Sequence, residues 1–219
     1  MKKVVVLFVV FCVLAGAAKA QISASPFEGR WVWNEEGDFS EIAEMVFFGN
    51  ILLVMEDLFH YYIGIPFSHA GGIISTEDAD FEWQYRLSGN TLHLTNEDGI
   101  NVSFTRVPMQ RSPKEGLWRV IETTSHDPDE SEEYVLFTGD IMAITEEEGL
   151  DYWLGWTIEF EGRAFRPSLR SLGFEDELDF IPEDDLEAYL ASLLMEYSIS
   201  GNYLTLSHQG ESIRLRRVH

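Results

Sequence analysis

The tripeptide Gly29-Arg30-Trp31 returns as Gly116-Leu117-Trp118, and three further blocks return after it in the same order. Phe47-Phe48-Gly49-Asn50-Ile51-Leu52 is echoed by Leu136-Phe137-Thr138-Gly139-Asp140-Ile141. Tyr85-Arg86-Leu87-Ser88-Gly89-Asn90-Thr91-Leu92 is echoed by Tyr197-Ser198-Ile199-Ser200-Gly201-Asn202-Tyr203-Leu204. Phe104-Thr105-Arg106-Val107 is then echoed by Leu215-Arg216-Arg217-Val218. An internal repeat of this kind restricts the chain to folds that a half-length unit can build twice. The copies meet at Pro108-Met109-Gln110-Arg111-Ser112-Pro113, whose two prolines suit a linker. The reading is a first unit over 27–107, a linker over 108–113 and a second unit over 114–219.

Within each unit the apolar residues alternate. Phe81, Trp83, Tyr85 and Leu87 are separated by Glu82, Gln84 and Arg86. Phe59, Tyr61, Ile63, Ile65 and Phe67 form a second such row, and Tyr152, Leu154, Trp156, Ile158 and Phe160 a third. A period of two is that of a strand with one buried face. Ser88-Gly89-Asn90 and Ser200-Gly201-Asn202 are hairpin turns, because glycine and asparagine accept positive φ at little cost. About eight short strands per unit follow, with every connection short enough for a meander. The expected fold is all-β: two tandem small antiparallel up-and-down barrels, whose closure removes exposed sheet edges. A pair of open sandwich-like sheets, or one sheet system spanning both units, is the rival. The second unit also carries an insertion. Pro182 followed by Glu183, Asp184 and Asp185, with Leu186, Tyr189, Leu190, Leu193 and Leu194 at helical spacing, predicts a helix near 182–194.

These residues resemble the lipocalin-like branch of the calycin superfamily, here as an exported bacterial protein with the domain duplicated. Members open with G-x-W on the first strand and lay an arginine from the last strand over that tryptophan. The resemblance assigns these barrel-closing roles to Gly29, Trp31 and Arg106, and again to Gly116, Trp118 and Arg217. Strand parity points to the same arginines: Val102, Phe104 and Arg106 share a face, as do Ile213, Leu215 and Arg217.

The first twenty residues read differently. Lys2 and Lys3, the apolar run from Val4 to Leu14 and Ala18-Lys19-Ala20 have the order of a secretory signal peptide, too short to span a membrane comfortably. The only cysteine, Cys12, falls inside it, so the exported chain is expected to lack disulfides, thiol catalysis and cysteine-ligated zinc. Removing 1–20 takes away three lysines and no acid, which moves the net charge from −23 to −26. Such a charge repels nucleic acid and anionic lipid at long range. The expectation is a periplasmic or extracellular protein with no transmembrane segment in the mature form and no nucleic-acid partner; its protein partner is left open.

For chemistry the sequence offers a ligand cavity and little else. Phe81, Trp83, Tyr85, Tyr152 and Trp156 point inward by parity and either fill the barrels or line a chamber for one small molecule. Arg163 and Arg166, with Arg170, form a basic island that either grips an anion at a barrel mouth or neutralises the acidic insertion. His60 and His69 lie near Glu56 and Asp57, without the spacing of a metal motif, so no metal and no cofactor is expected. No nucleophile elbow, phosphate loop or dinucleotide fingerprint is present, which argues against an enzyme. The leading expectation is therefore an exported binding protein for a small apolar or amphipathic ligand, with the insertion as a lid. The alternative is an envelope or secreted interaction protein with filled barrels and an acidic outer surface.

Overall fold

Sixteen strands carry the chain: β1 Gly29–Trp33, β2 Ile42–Phe48, β3 Ile51–Glu56, β4 Tyr62–Ala70, β5 Ile73–Thr76, β6 Glu82–Ser88, β7 Thr91–Thr95 and β8 Asn101–Val107, then β9 Gly116–Thr123, β10 Tyr134–Thr138, β11 Ile141–Thr145, β12 Trp153–Glu161, β13 Ala164–Pro167, β14 Met195–Ser200, β15 Tyr203–His208 and β16 Glu211–Arg217. The computed structural model describes residues 25–34, 42–56, 61–76, 82–109, 114–124, 133–145, 153–168, 188–189 and 191–218. The signal-peptide reading of 1–20, and Phe81, Tyr152, His60 and Arg170, fall outside these residues.

The architecture is all-β and antiparallel. β1 to β8 pair in succession, and β8 returns to β1 with Trp31 opposite Arg106, so the ring closes into an eight-stranded barrel. β9 to β16 pair in the same succession and close through β16–β9, with Arg217 opposite Trp118. Open sandwich-like sheets are thus excluded by the pairing of first strand with last, whereas the β4–β12 pairing links the two rings into one sixteen-stranded sheet, as the rival reading of one sheet system spanning both units expected. Two-residue turns join the hairpins at one end of each ring. Gly89 and Gly201 take φ near +60° there, a conformation that glycine adopts without steric cost.

The expected helix is not supported over 182–194. Among the described residues of this span only Ala188, Tyr189, Ala191 and Ser192 have helical backbone, and Pro182 to Glu187, on which its start was argued, lie with Leu190 outside the described residues. No helix among the described residues is long and apolar enough to cross a membrane.

Among the described residues there are three apolar cores. One fills the first barrel around Trp31, Phe47, Phe67, Trp83 and Phe104. One fills the second around Trp118, Phe137, Met142, Ile158 and Phe165. The third lies between the barrels, where Val46, Leu53 and Tyr62 of one pack against Leu117, Leu136 and Trp153 of the other. Met109, at the start of the 108–113 segment, packs against this third core; 110–113 lie outside the described residues.

Backbone pairing reinforces this junction. The first part of β4 pairs with β12 (Trp153↔Gly64, Leu154↔Ile63, Gly155↔Tyr62), whereas its later part, Phe67 to Ala70, pairs with β5. β12 divides in the same way, its later part pairing with β13. Each barrel therefore splays one seam and fills it with a strand of the other. An aromatic ring from each side covers a glycine of the other: Trp153 faces Gly64 and Tyr62 faces Gly155. A Cβ on Gly64 would stand 2.4 Å from Trp153 Cβ, and one on Gly155 would stand 3.3 Å from Tyr62 Cβ.

Candidate functional site

Three places could carry function: the barrel interiors, the ends closed by tryptophan, and the polar cluster at the junction. The interiors are built from the alternating rows that the sequence displays. Trp83 on β6 is 7% exposed in the first core, and Tyr85 packs against it. Trp156 on β12 is half-buried against the second core. Trp153, one residue out of parity with Trp156, lines the junction and not the second interior. The inward placement of Trp83, Tyr85 and Trp156 follows the parity reading, but each packs against other core side chains.

The basic island does not assemble inside a mouth. Arg163 is exposed in the turn between β12 and β13, next to Phe160 at the end that Trp118 closes. Arg166 alternates with the inward-facing Phe165 and reaches Glu161 at 3.1 Å and Glu159 at 3.5 Å. Its carboxylate neighbours are thus on β12, beside it in the sheet. Among the described residues no three His, Asp, Glu or Cys side chains come together as a metal site. His69 stands edge-on to Phe27 in an aromatic cluster.

The closed ends share one construction. The Trp31 indole N–H donates to the carbonyl of Phe27 at 2.6 Å, and that of Trp118 to the carbonyl of Lys114 at 2.7 Å. Arg106 lies over Trp31 and Arg217 over Trp118, each guanidinium carbon 4.5 Å from the ring centre. Arg106 also donates to the carbonyl of Pro26 at 2.8 Å, tying the segment before β1 across the end. These contacts combine cation–π attraction with a satisfied indole donor, so a large ring is buried with no polar penalty.

Beneath this common lid the two ends differ. Phe27 is fully buried against Phe47, Phe67 and Tyr85. Lys114, which also lies four residues before its tryptophan, is only 4% exposed. Its Nζ stands 3.1 Å from the centre of Phe160 and 4.5 Å from that of Tyr197. Burial disfavours its charged form and lowers the amine from 10.5 to about 8. The sequence reading passed over Lys114, because a lysine in a segment leading into a strand gives no sign of burial.

The junction cluster was also missed. Glu44 on β2 is 4% exposed and accepts from Arg30 Nη2 at 2.9 Å and Nε at 2.6 Å. Tyr62 Oη donates a short hydrogen bond to the same carboxylate. Arg30 Nη1 crosses to the other barrel and donates to Asp140 at 2.8 Å. Burial, followed by the charge of Glu44, pushes the Tyr62 phenol far above its usual range. For Arg30 burial works downward, but the Glu44 hydrogen bond and the surrounding negative charge outweigh it and the guanidinium is held more firmly protonated. The cluster is a fully paired buried ion pair, suited to fixing orientation rather than to proton transfer.

No family model and no curated protein matches this chain. Among solved structures it is similar, weakly, to sliding clamps. The DNA polymerase III subunit beta from Pseudomonas aeruginosa shares 10% identity, over 90% of this chain and 60% of that one, at a TM-score of 0.23. The beta subunit from Thermotoga maritima shares 13%, over 91% of this chain and 59% of that one, at a TM-score of 0.16. This chain thus spans about three fifths of either, and at these TM-scores the likeness carries no argument.

Proposed function

We propose that this chain is an exported, non-enzymatic interaction protein, made of two lipocalin-like barrels that arose by tandem duplication and whose interiors act as cores. The observation that carries this reading is the burial of large side chains in both interiors: Trp31, Phe27 and Phe104 are fully buried in the first barrel, and Trp118, Phe137 and Phe165 in the second. An eight-stranded barrel either is filled by side chains or holds one small ligand, and these fully buried rings support the filled alternative. The matched tryptophan–arginine lids, at the same 4.5 Å separation, support the duplication and the lipocalin-like relationship. Export rests on the basic, apolar and Ala-Lys-Ala succession of residues 1–20. The four helical positions between Ala188 and Ser192 leave room for a helical insertion in the second unit.

With the interiors occupied, recognition falls to the outer surface. The net charge of the sequence is strongly negative, and acids cluster along it at Glu35, Glu36 and Asp38 and at Glu146, Glu147 and Glu148. A partner with a basic surface fits this charge. Titrating the mature protein with a long-chain fatty acid and an apolar fluorescent probe separates this reading from a ligand chamber. Tryptophan emission is expected to stay flat. Saturable one-to-one quenching that disappears in Trp156→Phe would overturn the filled-core reading and favour a small apolar ligand in the second barrel.

A further inference from the structure

Lys114 is the only lysine after residue 19, since every other cation of the chain beyond that point is an arginine or a histidine. It is also buried, at 4% exposure. Lysines are rarely this buried unless an acid pairs with them, yet no salt bridge to a described residue holds this one. Its neighbours are the faces of Phe160 and Tyr197.

The fold does not require a lysine here. The role of the position is to supply a backbone carbonyl to the tryptophan and a side chain to the barrel end, and Phe27 performs both in the first barrel. An amine in place of that ring brings a desolvation cost that phenylalanine avoids. Two aromatic side chains wall it in. Phe160 covers Nζ and is itself 39% exposed, so this wall of the amine borders solvent, while its other side packs on Phe165 of the second core. Tyr197, the second wall, is tied to the neighbouring turn by its hydroxyl, which donates to the carbonyl of Gly162 at 3.4 Å, and by its N–H, which donates to that of Arg163 at 2.9 Å.

We propose that Lys114 is a nucleophilic site that captures small aromatic or apolar aldehydes as imines at the closed end of the second barrel. The unprotonated Nζ adds its lone pair to the carbonyl carbon, and a nitrogen-bound proton passes to the oxygen. The carbinolamine then expels water and leaves a C=N bond. Nothing is oxidised or reduced, and the step reverses on addition of water. The aromatic walls suit a planar apolar substituent, and burial keeps a larger share of the amine neutral near neutral pH than in an ordinary lysine. This site lies at the closed end of the second barrel and is independent of the interaction role proposed above.

The test is reductive trapping. The mature protein is incubated with benzaldehyde and cyanoborohydride at pH 8, and adducts are located by peptide mapping, which separates Lys114 from the α-amino group. Trapping at Lys114 is expected to be at least about tenfold faster in the folded protein than in guanidinium chloride, where an ordinary lysine is almost wholly protonated at this pH. Phe160→Ala is expected to accelerate it further, and Lys114→Arg to abolish that adduct while leaving the far-ultraviolet circular dichroism unchanged. Equal rates at Lys114 in folded and unfolded chains, or adducts confined to the α-amino group, would overturn the proposal and leave Lys114 a structural cation.

Discussion

Single residues decide how each barrel end is closed, and the two ends carry opposite chemistry under the same lid. Phe27 contributes burial alone, whereas Lys114 contributes burial and a proton equilibrium. Because its amine is lowered to about 8 in the folded chain from an ordinary value of 10.5, the unfolded chain binds more protons between those two values. Stability should therefore rise with pH across roughly 8 to 10.5 and be lower on the acid side of that window. The face of Phe160 opposes part of this effect, since it favours the charged form. Lys114→Met should remove the rise and stabilise the protein at pH 7 by about 1–2 kcal/mol, an order of magnitude set by the linkage between pKa and stability. Denaturant melts at pH 7 and pH 10 check this, and an unchanged pH slope in the variant would contradict it.

At the scale of elements, most of the strands were legible because alternation and turn chemistry agree. The period-two rows placed Trp83, Tyr85 and Trp156 inward, and the Gly-Asn turns located the hairpins. The faces turned toward the other barrel were not legible. Tyr62 and Gly64 sit out of parity with the inward row of β4, so they read as solvent-facing, yet Tyr62 is fully buried. A signal was present: Ile51 to Val54 and Ile141 to Ile144 are unbroken apolar runs, which mark strands buried on both faces. What alternation cannot supply is the identity of the second covering surface, because that depends on which strand of another unit fills the seam. The glycines make the seam possible. In Gly64→Ala the new methyl would meet Trp153 Cβ at 2.4 Å and Leu53 Cδ2 at 2.5 Å, so β4 and β12 must separate. The expected loss is about 1–3 kcal/mol, typical of overpacking, and larger than for Gly155→Ala, whose closest contact is 3.1 Å. Equal melting temperatures for the two variants would count against this packing.

The whole molecule is defined by its third core. Two barrels joined by a proline-bearing linker are expected to behave as separate beads, but the junction adds strand pairing, buried aromatics and an ion pair that crosses from Arg30 to Asp140. Glu44→Ala would leave the buried Tyr62 hydroxyl without its acceptor and Arg30 with Asp140 alone, and should cost about 3 kcal/mol, as is usual when one member of a buried pair is removed. The register-equivalent positions of the second barrel hold Leu117 and Tyr134 in place of Arg30 and Glu44. The double change Arg30→Leu with Glu44→Tyr should therefore recover much of that loss in a thermal melt, and failure to recover would point to a role for the charges beyond their own pairing.

A shared core couples the halves thermodynamically, so damage to one lid should be felt by the entire chain. Equilibrium unfolding of Trp31→Ala, followed in parallel by circular dichroism and by the emission of the remaining tryptophans, measures that coupling directly. One transition at lowered denaturant, coincident by both probes, is the expected result. Two resolved transitions, with the second barrel melting as in the parent protein, would contradict it and return the molecule to two independent barrels on a linker.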